Sequence, residues 1–130
     1  MTTDGAGESD ATLPDRRNHA AATASLRPFF RPRSVAIVGA SRDPASIGHR
    51  LLDALVANRF NGPLYPVNPM APVIGGIPAY PSVRDIPEPV DLAVIAVPRE
   101  AVLTAVDDCA ARGVRAIVVI TAGFAEVGGE

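Results

Sequence analysis

The stretch Val35-Ala36-Ile37-Val38-Gly39-Ala40-Ser41-Arg42-Asp43-Pro44-Ala45-Ser46-Ile47-Gly48 decides the fold. An apolar run ends at a glycine, a short polar loop follows, and an amphipathic segment begins, which reads as a buried strand, a turn and a helix. A helix start offers unpaired backbone N–H groups and a positive dipole end, and a glycine at the strand tip lets a ligand approach the backbone. The pattern is therefore that of a phosphate-binding turn.

Two common phosphate binders fit poorly. In the dinucleotide fingerprint G-x-G-x-x-G the second glycine admits the pyrophosphate, but here Ser41 holds that place and the next glycine is Gly48. Such domains also carry a carboxylate at the tip of the second strand for the ribose hydroxyls, whereas Leu64-Tyr65-Pro66-Val67 runs into Asn68-Pro69. A P-loop needs a lysine on the phosphates, and all twelve basic residues of this chain are arginines.

Working outward, strands and helices alternate from Ser34 onward, which predicts parallel βαβ units. Strand one covers about residues 35–39. The first helix covers about 47–58, with apolar positions 47, 51, 52, 55 and 56 on one face and Asn61-Gly62 ending it. Strand two is 64–67, and a weak third strand near 77–80 lies between prolines, as suits an edge. Residues 91–97 are apolar without alternation, as in a central strand buried on both faces. The second helix runs from about Arg99 to Arg112, with Pro98 at its entry and Gly113 at its end. Residues 115–120 form the last strand. Right-handed crossovers give an α/β, Rossmann-like parallel sheet of order 3-2-1-4-5 with helices on both faces. Its ligand crevice opens at the carboxyl ends of strands one and four, where Gly39 and Pro98 meet.

Residues 1–25 are polar and aperiodic and read as a disordered leader; residues 26–130 form the domain. Phe29-Phe30 reads as a lead-in packing its rings under the sheet. Net charge is −2, without a basic footprint for nucleic acid. The apolar runs are too short for a membrane span, and an acidic start is unlike a signal peptide, so the expected location is the cytoplasm. The single cysteine, Cys109, forms no internal disulfide and reads as a small core residue on the second helix.

Five ordered blocks carry a family resemblance: Val38-Gly39-Ala40-Ser41 with the later Gly48; Tyr65-Pro66-Val67-Asn68-Pro69; Ala79-Tyr80-Pro81-Ser82-Val83; Val90-Asp91-Leu92-Ala93-Val94-Ile95-Ala96-Val97-Pro98; and Ile120-Thr121-Ala122-Gly123-Phe124-Ala125-Glu126. Together they resemble the CoA-binding domain of NDP-forming acyl-CoA synthetases, relatives of the succinyl-CoA synthetase alpha subunit. The resemblance implies a coenzyme A site at the strand tips. Carried over by position, its residues are Gly39, Ala40, Ser41 and Arg42 on the first turn, Asn68 and Pro69 on the second, Val97 and Pro98 on the fourth, and Ile120, Thr121 and Ala122 on the fifth. Where family members often place a lysine this chain has Met70-Ala71, and Arg42 is the candidate replacement. Gly39→Val is expected to block the phosphates with modest loss of fold.

Each residue also has a plainer reading: Gly39 as a tight turn, Gly48 as close helix–sheet packing, Ser41 as a helix cap, and Asn68, Pro69 and Pro98 as ordinary turn and helix-start choices. The resembled enzymes pass a phosphoryl group through a histidine in a following domain, a context that neither His19 nor His49 matches. Without a general base, metal cluster or partnered nucleophile, the chain reads as a non-catalytic piece of an ATP-dependent ligase, acting with synthetase domains it lacks. Two alternatives stay open: a CoA-sensing regulatory module of a GNAT-type protein acetyltransferase, and a generic nucleotide-binding Rossmann domain. On the same reading the last strand, apolar on both faces and covered on one, makes the domain truncated at its C-terminal end and association-prone.

Overall fold

The structure, a computed structural model, describes residues 26–120. Four parallel strands make the main sheet: β1 (Val35–Val38), β2 (Leu64–Val67), β5 (Leu92–Ile95) and β6 (Ala116–Val119), in the spatial order β2-β1-β5-β6. Helix α1 (Ile47–Ala57) connects β1 to β2, and helix α2 (Arg99–Arg112) connects β5 to β6. This is the expected doubly wound order with one change. Residues 77–80 do not form a full third strand. Ile77–Pro78 (β4) pairs antiparallel with Val73–Ile74 (β3) in a small hairpin, and only Tyr80 bridges to Val67 beside β2. Pro78 and Pro81 flank that bridge and have no N–H to extend it.

The sheet is buried on both faces, as its unbroken apolar runs require. Alternate residues of a strand point to opposite sides, so Ala36, Val38, Ala93 and Ile95 pack with Ala105 and Cys109 of α2, while Val35, Ile37 and Val94 pack with Leu52 of α1. Burying a Val or Ile fully is worth about 1.5–3 kcal/mol, and Ile37 and Ile95 are wholly buried. At the other edge β6 pairs with β5 alone among the described residues, and its Val119 is 42% exposed.

The helix ends show what the sequence pattern missed. α1 ends at Ala57 with Asn58 as its C-cap, as the expected bound of about 58 has it, but Asn61-Gly62 is not what stops it. It closes in a Schellman turn in which the Phe60 N–H donates to the Leu55 carbonyl (3.0 Å) and the Arg59 N–H to Val56 (3.1 Å), with Arg59 at φ 56°. Arginine occupies the left-handed position that glycine usually marks, so the stop signal was hidden. Gly62 serves elsewhere: a Cβ there would strike the Arg33 carbonyl. α2 ends as expected at Gly113, φ 78°. Two further expectations are corrected. Val56 is 54% exposed and lies off the apolar face of α1, and Phe29 and Phe30 stack edge-to-face on each other at 5.0 Å, exposed rather than under the sheet. The proposed leader lies outside the described residues.

Cys109 is fully buried beneath the sheet, and burial, with the Asp108 charge second, pushes its thiol up to about 11. At pH 8 roughly a thousandth of it is thiolate, so iodoacetamide is expected to leave the native chain unmodified and to label it once denatured. Because the folded pKa lies above the ordinary 9, this group's contribution to stability is complete below pH 9 and is lost as pH rises toward 11 and beyond. Denaturant melts at pH 8 and 10.5 should show the fall. Rapid native labelling would contradict the assignment of Cys109 to the core.

Candidate functional site

At the carboxyl edge β1 runs into Gly39, φ +100°, and a Cβ there would strike the Ala96 carbonyl oxygen. The tips of β1 and β5 thus meet backbone to backbone. The same closeness recurs one turn later, since a Cβ at Gly48 would fall on the Gly39 carbonyl. Gly48 is therefore the close-packing residue of the first turn of α1, its plainer reading. For Gly39 the geometry corrects one expectation: its missing side chain would point at Ala96, so a branched residue breaks the strand junction itself.

The loop between these glycines is held by its own side chains. Ser46, not Ser41, caps α1, accepting from the His49 N–H at 3.1 Å. Ser41 Oγ accepts from the Asp43 N–H (3.0 Å), and Asp43 Oδ1 from the Ala45 N–H (3.0 Å). His49 sits half-buried on the first turn of α1, its Nδ1 2.8 Å from the Ser41 carbonyl and its Nε2 3.2 Å from Asp53. The N–H groups of Ser41 and Arg42 have no acceptor among the described residues. Asn68 ties the second strand tip to this loop: its Nδ2 donates to the Ala40 carbonyl (2.8 Å) and its Oδ1 accepts from the Met70 N–H (2.7 Å). A carboxylate at 68 would set an oxygen against the Ala40 oxygen, which gives a physical reason for the missing ribose-binding acid.

A cleft of about 230 Å³ opens from this edge along the α2 side of the sheet. Six of the sequence candidates line it: Gly39, Ala40, Ser41, Asn68, Pro69 and Val97. Three others lie off it. Arg42 turns to the hairpin, its Nε donating to the Val73 carbonyl at 3.2 Å; Pro98 is exposed at the N-cap of α2; and Ile120 packs with the α1-side cluster. Thr121 and Ala122 lie outside the described residues, as does His19.

The rest of the lining was not among the nominated site residues, although Val38, Val67, Pro81, Ser82 and Val83 stand in the resemblance blocks. Ala101, Thr104, Ala105 and Asp108 form one wall, a stripe of α2 at i, i+3, i+4 and i+7. Pro81, Ser82 and Val83, at the start of the 3₁₀ helix Val83–Asp85, form the other. Arg84 joins the walls, its Nε donating to Asp108 Oδ1 at 2.6 Å. The helical stripe was visible as a spacing, but a stripe of small and polar residues does not announce which face of the sheet it meets. Among the described residues no group of three or more His, Cys, Asp or Glu side chains could hold a metal ion, and no helix is long and apolar enough to cross a membrane.

Residues 33–127 match the family model described as the CoA binding domain. The chain is 41% identical over 119 residues to the ADP-forming acetate–CoA ligase II of Archaeoglobus fulgidus, covering 92% of this chain and 16% of that protein. It is 44% identical over 102 residues to a trans-feruloyl-CoA synthase from a prokaryote of unknown identity, covering 78% of this chain and 14% of the other. Among solved structures it superposes on the dinucleotide-forming acetyl-coenzyme A synthetase 1 of Candidatus Korarchaeum cryptofilum, in complex with phosphate and ADP, with a TM-score of 0.74 and 48% identity, over 81% of this chain and 23% of that one. The chain thus spans less than a quarter of each of these proteins.

Proposed function

Because the chain belongs to the CoA-binding domain family, we propose that its cleft binds coenzyme A and that it is the CoA-binding module of an ADP-forming acyl-CoA synthetase, acting with domains that carry the ligase chemistry. The observation that carries the proposal is the union of family and geometry: the cleft begins at the loop where Ser41 and Arg42 N–H groups have no acceptor among the described residues. On this reading the diphosphate rests on the backbone of Gly39, Ala40, Ser41 and Arg42, beside the α1 N-terminus, whose dipole favours negative charge. Asn68 holds that loop in shape. Pro69 and Val97 line the strand tips. Arg42, anchored through Nε, keeps its terminal nitrogens for a phosphate and replaces the lysine that Met70, 88% exposed, does not supply.

The two relatives named above join different acids to CoA by their names, acetate and ferulate, yet both share this segment. That supports a module reading the common CoA partner, with acid selection outside it. The test is a thermal melt with and without CoA. At a concentration about 100 times its Kd, CoA should stabilise the chain by about 2.7 kcal/mol. An unchanged melting temperature across millimolar CoA would overturn the proposal.

A further inference from the structure

The polar end of the cleft lies on α2, away from the glycine loop. Asp108 stands ten residues into α2 from Pro98, about 15 Å along the helix from the strand tips. Its Oδ1 accepts from Arg84 Nε (2.6 Å), and its Oδ2 accepts from the Ser82 hydroxyl at a long 3.3 Å. The Ser82 oxygen in turn accepts from the Arg84 N–H (3.1 Å). The serine proton is thereby committed to the carboxylate, and the group that remains under-used on the cleft wall is an acceptor, Oδ2 of Asp108. The side chain is only 23% exposed, so its remaining acceptor capacity is best met by a bound donor. Thr104, one turn nearer the edge, can donate or accept and does not discriminate. The apolar side chains of Val67, Pro69, Pro81, Val97 and Ala101 line the same cleft.

Resting on the reading of the cleft as a CoA site, we propose that Asp108 is the specificity residue for the base of the ligand, accepting a hydrogen bond from the exocyclic amine of adenine while the ring lies in the apolar slot. The orientation follows from chemistry. The thiol must leave the domain to meet an acid handled elsewhere, so the pantetheine arm leads outward and the adenine end enters. A flat heterocycle with a donor at one edge matches an apolar slot that ends in a carboxylate, whereas the pantetheine arm would leave that carboxylate without a matched donor.

The test compares CoA with an analogue whose base is unsubstituted purine, which lacks only the 6-amino group. Calorimetry on the intact chain should show CoA binding roughly tenfold more tightly, as expected for a lost hydrogen bond to a charged acceptor. In Asp108→Ala the two ligands should bind within about twofold of each other, and Asp108→Val, which likewise has no acceptor, serves if the alanine variant does not fold. Both ligands are read on the same variant, so a general loosening of the fold cancels in the ratio. Equal affinities in the unmodified chain, or a ratio preserved in the variants, would overturn the role of Asp108 and leave the CoA reading standing. If CoA does not bind the unmodified chain, the reading of the cleft itself fails, and this inference with it.

Discussion

Gly39→Val is expected to unfold the domain rather than to empty its cleft. Two costs add at this position. The backbone sits at φ +100°, which β-branched residues avoid at a cost of about 1–3 kcal/mol. The new Cβ would also strike the Ala96 carbonyl oxygen, a backbone atom of the neighbouring strand that moves only if β1 and β5 part. Overpacking of this kind adds about 1–3 kcal/mol. Together they come to about 2–6 kcal/mol, enough to unfold a domain at the lower end of the ordinary ~5–15 kcal/mol range. The β1–β5 junction carries the central register Val35↔Leu92 to Val38↔Ile95, and the Ala96 N–H bonds the Val38 carbonyl at 2.7 Å beside it. Circular dichroism and a denaturant melt check the outcome: loss of helical signal, or a midpoint displaced by several kcal/mol, is expected. A variant that melts like the unmodified chain and has lost only its ligand would return Gly39 to the role of a phosphate gate.

That reversal shows where the sequence was legible and where it was not. The unbroken apolar runs at 35–38 and 92–95 named the two central strands because burial on both faces leaves no polar alternation, and order and helix sides followed from handed crossovers. Glycine spacing located the turn, but it does not tell a residue cleared for a ligand from one cleared for a neighbouring carbonyl. That needs the distance to Ala96. The third strand was misread because Ile77–Pro78 has strand-like neighbours, and only tertiary contact decides between the hairpin and a place beside β2. Asn68 was legible as a turn residue, while its bond to Ala40, 28 residues away, was not. The far wall of the cleft was hidden for the same reason. Ser82 and Asp108 lie 26 residues apart, and nothing local in either segment points to the other.

The central claim, that this strand-edge cleft takes CoA rather than a nicotinamide dinucleotide, meets its most direct test in calorimetric titration of the intact chain with CoA and with NAD. Ser41 fills the place of the glycine that a dinucleotide turn needs, and Asn68 spends its amide on the Ala40 carbonyl where a ribose-binding carboxylate would stand. CoA is therefore expected to bind at least tenfold more tightly than NAD, a difference of about 1.4 kcal/mol or more. NAD binding as tight as CoA, or tighter, would contradict the account.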